Sequence, residues 1–197
     1  MMEKSFTSAP DPSIRVVRPK IQAMHRFPDL GDLAGLIRFD PGSGEIWLDD
    51  QRMVIIHNAS MGALRRELIE TLGIEKARGI ITRVGYHSGS KDAEMVRRLR
   101  AGSNDASAFS LGPQLHSIEG YLTVDTLVTE VDVESGHFYG EYIWHNSAEA
   151  ERHIAAFGIS NTPVCWMQQG YANGYLTSFL GRPMLVREVE CKGMGHA

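Results

Sequence analysis

The stretch from Pro163 to Cys191, PVCWMQQGYANGYLTSFLGRPMLVREVEC, contains both cysteines of the chain and predicts a helix followed by a strand. After a proline suited to a first helical turn, apolar and aromatic residues recur at roughly helical spacing: Val164, Trp166, Met167, Tyr171, Tyr175 and Phe179. This spacing predicts a buried aromatic helix. The sequence Gly181-Arg182-Pro183 ends the helix, and residues 184–191 mix apolar and polar positions as a half-buried strand does.

The two cysteines fall at opposite ends of this helix and strand. Cys165 lies in the first turn, and Glu188, Glu190 and Cys191 lie at the far end of the strand. If the two elements lie side by side, two thiols and a carboxylate meet, and these are groups that zinc accepts as ligands. The spacing alone leaves open the commoner alternative of two free buried thiols.

Composition indicates an ordinary globular domain. The 197 residues are 43% hydrophobic with a net charge of -4, which permits a sizeable core but gives no basic surface for nucleic acid or an anionic membrane. No apolar run approaches the roughly 18 residues of a membrane span, and the N-terminus lacks the apolar core of a signal peptide, so we expect a cytoplasmic protein. Phosphate-loop, dinucleotide, H-E-x-x-H and G-x-S-x-G motifs are missing, which argues against the corresponding enzyme classes.

The chain before this stretch divides into strands, helices and strands. Residues 1–35 hold four of the eight prolines and are predicted to be an extended arm. A three-strand meander is predicted next, over residues 36–40, 45–50 and 52–57. Three helices follow, and the charges of the third are expected on a solvated face: 61–72 after a cap at 58–60 and closed by Gly73, 74–86, and 90–100.

A broken helix and a hairpin complete the domain. Residues 105–118 form a helix interrupted at Gly112-Pro113, and strands 121–133 and 137–144 pair as a hairpin. Asn146 and Glu149 fit a capping box for a short helix to Phe157. The order predicts an α+β fold in which helices cover one face of a mixed or antiparallel sheet of four or more strands.

Aromatic residues from these elements are expected to converge between the sheet and the helices. The predicted pocket is apolar except for polar tips such as that of His116, and it suits a small aromatic ligand; its lining is Phe109, Tyr142, Trp144, Tyr171 and Tyr175. An aromatic-rich core without a ligand is the alternative.

Several segments resemble one known family: EIWLDDQRM, LRRELIETLGIEKARGIITRVGYHSG, KDAEMVRRLR, LGPQLHSIEG, GHFYGEYIWHNS, PVCWMQQGYANGY and FLGRPMLVREVECKGMG. They resemble the N-terminal sensor domain, of vinyl-4-reductase-type fold, of sigma-54-dependent bacterial activators of aromatic catabolism, in their phenol-responsive branch. The resemblance implies a homodimer, and a full-length protein with an AAA+ ATPase and a helix-turn-helix. It divides this chain into an N-terminal arm (1–35), a dimerisation and ligand-binding core (36–160), and an aromatic helix with a zinc-binding strand (161–197).

The resemblance also implies the roles of particular residues. The family's structural zinc site falls on Cys165, Glu188 and Cys191, and its fourth ligand would lie two positions beyond Ala197, so the chain stops short of it or His196 or water replaces it. The phenol-contacting pair falls on His116 and Trp144. A neutral imidazole nitrogen accepts the phenol proton while the indole N–H donates to the phenol oxygen. The remaining aromatic residues enclose the ring: Phe109, Tyr171 and Tyr175.

Two other functions compete with a non-enzymatic phenol sensor. A zinc-dependent hydrolase would use His116 as general base together with a zinc-bound water, and it requires that His116 and the cysteines share one site. A pure dimerisation module would have an ordinary core, and no ligand would stabilise it.

Overall fold

The computed structural model describes residues 33–99, 109, 111–132, 135 and 137–196, so the predicted arm lies outside this range except for its last three residues. In chain order the elements are β1 (Ile37–Asp40), β2 (Glu45–Leu48), β3 (Gln51–Met53), α1 (Asn58–Leu72), α2 (Ile74–Leu99), α3 (Leu111–Ile118), β4 (Thr123–Asp132), β5 (His137–His145), α4 (Ala148–Phe157), α5 (Trp166–Leu180) and a 3-10 turn (Lys192–Met194). The mixed fold of helices and antiparallel strands is confirmed. Within the described ranges, no helix combines the length and apolar character needed to span a membrane.

The strands form two separate antiparallel sheets among the described residues, so the prediction of one sheet of four or more strands is wrong. In the first sheet β2 pairs with both β1 and β3, as the meander prediction required. The second is the predicted hairpin of β4 and β5. Alternation along a strand predicts its two faces but carries no information about which strand lies beside it. β3 also stops at Met53, four residues before its predicted end, and Val54, Ile55 and Ile56 are exposed.

Helix α2 is continuous over 26 residues, although a break near Gly85 and Gly89 was predicted. These glycines, with Gly170 and Gly174 of α5, form what we call the glycine seam. A Cβ added to any of the four would overlap a backbone carbonyl oxygen of the opposite helix. A glycine within a helix costs roughly 1 kcal/mol relative to alanine, but here it permits a close helix pair.

Helix α5 is central to the packing, and its predicted extent is confirmed. It ends at Gly181, whose φ of 68° is the left-handed conformation that glycine adopts without steric cost. The largest buried cluster joins α5 to α2, α3 and the first sheet through residues such as Met95, Leu111, Leu115, Tyr175 and Phe179. A smaller cluster lies where α5 begins and contains Ala150, Val164, Cys165 and Cys191.

The segment after α5 is extended, but it is not the predicted strand. Burial alternates from Met184 to Glu188 as in a strand, yet its backbone partners are side chains of α5. Asn173 accepts a hydrogen bond from the Val186 N–H at 2.7 Å, and the Gln169 amide donates to the Val186 carbonyl at 2.9 Å. Helix side chains therefore replace a neighbouring strand, which an alternating sequence cannot reveal.

The predicted capping box before α4 is also wrong. Ser147, rather than Asn146, caps the helix by accepting a hydrogen bond from the Ala150 N–H at 3.1 Å. Asn146 has a φ of 57°, so it turns the chain out of β5 instead. Glu149 faces the interior, where it accepts a hydrogen bond from the Met167 N–H at 2.9 Å.

Candidate ligand cavity and metal centre

Cys165, Glu188 and Cys191 come together at the start of α5, as predicted, and we call them the metal group. Their ligand atoms all lie within 4.8 Å of one another, and the two Sγ atoms are 3.9 Å apart. The Cys165 N–H donates to the Glu188 carboxylate at 3.2 Å, which fixes the extended segment against the first turn of α5. Two sulfurs and one carboxylate at this spacing are suitable for a metal ion such as zinc.

Burial and mutual hydrogen bonding control protonation in the metal group. The hydrogen bond between the thiols raises the pKa of Cys165 and lowers that of Cys191 to about 5, so the pair favours one thiol and one thiolate. Burial raises the pKa of Glu188 to about 8. His196, named above as a replacement ligand, accepts a hydrogen bond from the Cys191 N–H through Nδ1 at 3.1 Å. Its Nε2 is the ring nitrogen outside this bond.

A cavity of about 130 Å³ lies between α1, α2, α3 and α5. Its floor consists of three buried side chains, His116, Gln168 and Tyr171. Val84 and Ser88 of α2 are exposed and form its mouth. Other residues complete the wall: Met61, Gly85, Tyr121 and Met167. The volume is comparable to that of an engineered apolar cavity of about 150 Å³ that binds benzene.

His116 is the most unusual residue of the cavity floor. The side chain is 4% exposed, its Nε2 is buried without a hydrogen-bond partner in the described part of the chain, and burial lowers its pKa to about 3. The ring is therefore neutral at physiological pH. Its centroid lies 3.8 Å from that of Tyr171 and 6.5 Å from that of Trp144. A neutral imidazole with an unpaired nitrogen is prepared to exchange one hydrogen bond with a ligand.

Of the six predicted ligand contacts, the structure places His116 and Tyr171 on the cavity. Trp144 neighbours His116 and packs against the buried cysteine cluster. Phe109 and Tyr175 pack against each other in the main core, with ring centroids 6.4 Å apart. Tyr142 lies on the inner face of β5, and its hydroxyl is 2.8 Å from that of Thr129.

Behind the cavity floor lies a buried carboxyl pair that the sequence did not reveal. The Tyr171 hydroxyl donates to Asp92 at 2.6 Å, and Gln51 donates to the other oxygen of Asp92 at 3.3 Å. Burial, and then the charge of Asp92, raise the pKa of Glu119 to about 9, and burial raises that of Asp92. The pair therefore retains a proton at neutral pH. Asp92 lies in a charged helix that was predicted to face solvent, so composition gave no signal.

These features define the chain as a small-ligand-binding domain with a separate group able to hold a metal ion. Residues 32–132 match the XylR_N family, described as activator of aromatic catabolism, and residues 144–197 match the model of the vinyl-4-reductase-type domain. The first match covers just over half of the chain. The chain therefore belongs to the XylR_N family of activators of aromatic catabolism.

Individual relatives agree with this family. The chain is 39% identical over 167 residues to the phenol regulator MopR of Acinetobacter guillouiae, and 38% identical over 178 residues to the transcriptional regulatory protein XylR of Pseudomonas putida. These alignments cover 85% and 90% of this chain but 30% and 31% of the relatives, so the chain spans about a third of their length. The fold is similar to the crystal structure of the phenol-responsive sensory domain of the transcription activator PoxR with phenol. The TM-score is 0.83 at 46% identity, covering 85% of this chain and 83% of that chain.

Proposed function

We propose that this chain is a sensor domain that binds phenol or simple substituted phenols and does not catalyse a reaction. The unpaired, neutral ring of His116 on the cavity floor is the observation that carries the proposal. Similarity to a phenol-responsive domain supports the choice of ligand. In a full-length protein, ligand binding would shift an equilibrium between a state that restrains a downstream AAA+ ATPase and a state that releases it. The domain would act as a homodimer.

Phenol suits the two polar groups at this end of the site. The phenol hydroxyl would donate its proton to the free nitrogen of His116 and accept from the indole N–H of Trp144, which makes no hydrogen bond within the described ranges. Phe109, Tyr142 and Tyr175 would enclose the ring together with Tyr171. Tyr175 stacks on Tyr171 with an interplanar angle of 8°.

The metal group would hold a structural zinc. Its three ligands connect the start of α5 to the end of the extended segment, so zinc would fix both to the domain. The chemistry of the donors supports zinc, which binds thiolate and carboxylate in structural sites. Among the described residues that line the cavity, none belongs to the metal group, which disfavours a hydrolase that uses His116 with a zinc-bound water.

Thermal unfolding with added phenol, toluene or a metal chelator tests these proposals together. A phenol sensor should melt at a higher temperature with phenol, and by more than with toluene at equal concentration. A chelator should lower the melting temperature. Unfolding that is insensitive to every small aromatic compound would instead identify a dimerisation module.

A further inference from the structure

Gln168 is a second unpaired polar side chain on the cavity floor. It lies in the first turn of α5 and is 1% exposed, and its Oε1 is buried without a hydrogen-bond partner among the described residues. The next residue, Gln169, makes the opposite choice, since its amide donates to the Val186 carbonyl. Buried polar side chains in folded proteins nearly always have a partner. An amide buried on a cavity floor without one is therefore a sign that a bound molecule supplies it.

Gln168 and His116 face the same small volume from two different helices. Each neighbours Tyr171, whose ring centroid is 3.8 Å from that of His116 and which follows Gln168 by three residues, on the same side of α5. In a cavity of about 130 Å³, one aromatic ring that contacts His116 also lies beside Gln168. The two unpaired groups therefore present one ligand with two polar contacts.

We propose that Gln168 is a second polar anchor, so that the cavity selects aromatic rings carrying two hydrogen-bonding groups, such as dihydroxybenzenes, over phenol itself. This inference rests on the proposed function, because His116 binds the first hydroxyl. The second hydroxyl donates to the Gln168 carbonyl oxygen or accepts from its NH₂, since an amide offers both. Phenol leaves the amide unpaired or paired with water.

Isothermal titration calorimetry with phenol, 2-methylphenol and the three dihydroxybenzene isomers tests this selectivity. One isomer should bind the wild-type domain about threefold to tenfold more tightly than phenol, which is the range expected for one added hydrogen bond. 2-Methylphenol has similar bulk without the polar group, so it should show no such gain. Gln168→Met should remove the gain and change phenol affinity by less than about twofold. Gln169→Met makes the same change one residue away and should retain the gain.

Three outcomes would overturn the inference. If no isomer binds the wild type more tightly than phenol, or if Gln168→Met keeps the gain, Gln168 is not an anchor, and phenol sensing itself is unaffected. If no phenol binds the wild type, the proposed function fails as well. If the variant does not fold, a crystal structure of the wild type with the tightest isomer decides, and a second hydroxyl beyond hydrogen-bond distance of the amide would contradict the assignment.

Discussion

The carboxylate of Glu149 lies 2.5 Å from the guanidinium of Arg65, and both side chains are almost completely buried. Glu149 also accepts the Met167 N–H, and Arg65 donates to the Val164 carbonyl at 2.8 Å. The guanidinium lies 3.8 Å from the ring centroid of Trp166. The pair therefore fixes the first turn of α5, from which the metal group and the cavity floor are both built.

Replacing Arg65 by Met should destabilise the domain strongly. The change leaves the Glu149 carboxylate buried without its cation, and breaking a buried pair in this way costs about 3–5 kcal/mol. The free energy of unfolding in urea measures the loss. The double variant Arg65→Met with Glu149→Gln should lose less than the sum of the two single variants, and an additive result would show that the pair is not coupled.

Alanine in the glycine seam should also destabilise the fold. Gly85→Ala places a Cβ on the Met167 carbonyl oxygen, which forces α2 and α5 apart, and such overpacking costs typically about 1–3 kcal/mol. Gly79→Ala is the matched control, because it lies on the same helix and a Cβ there meets only the end of the Arg83 side chain at 3.4 Å. The control should stabilise the helix by roughly 0.5–1 kcal/mol. Equal effects in urea unfolding would contradict the seam.

Loss of a thiol should remove a structural zinc. Cys165→Ala or Cys191→Ala should yield a protein that lacks zinc by elemental analysis and unfolds or aggregates, because the start of α5 is released. Glu190→Gln provides a control, since this carboxylate is exposed and outside the metal group. Purified wild-type protein that contains no zinc, melts cooperatively and binds phenol would refute the proposal.

The cavity should prefer phenol to toluene by at least roughly tenfold. Burying the ring contributes similarly to both ligands, but toluene leaves His116 and the Trp144 N–H unpaired, at about 1–3 kcal/mol each. His116→Ala and Trp144→Phe should each weaken phenol binding and narrow the preference in calorimetry. Trp47→Phe removes an indole that is bonded to Glu45 on β2, and it should change neither affinity. Phenol binding that survives His116→Ala unchanged would sink the assignment.

The carboxyl pair of Asp92 and Glu119 should make stability fall as pH rises. The pKa of Glu119 is about 9 in the folded domain against 4.5 ordinarily, so between these values the folded state holds a proton that the unfolded state has released. This contribution to stability is complete below pH 4.5 and is lost towards pH 9, with a slope of at most about 1.4 kcal/mol per pH unit. Glu119→Gln should flatten the profile of unfolding free energy against pH. A variant with the wild-type slope would show that the pair carries no shared proton.

Local patterns in the sequence predicted the elements well, and long-range pairing escaped them. The aromatic spacing from Trp166 to Phe179 specifies α5, and the apolar alternation of β5 specifies a hairpin strand. Gly85 and Gly89 were misread as a break because a glycine has the same letter whether it ends a helix or admits a neighbour. Residues 184–188 alternate as a strand does, but the amides that hold them belong to a helix.

The candidate site divides in the same way. Cys165, Glu188 and Cys191 were brought together correctly because a helix and an adjoining extended segment are close in sequence. Gln168 and Asp92 were missed because their importance depends on burial by several other helices, and no local spacing encodes that burial.

Helix α5 carries Cys165 at its N-terminus and Tyr171 six residues further on, a separation on the order of 9 Å along a rod without an internal joint. Metal loading and ring binding are thus two equilibria of one rigid body. Thermodynamic reciprocity then requires that any factor by which the metal changes affinity for the ring also appear as the factor by which the ring changes affinity for the metal. A titration of zinc in the presence and absence of phenol would read this factor directly.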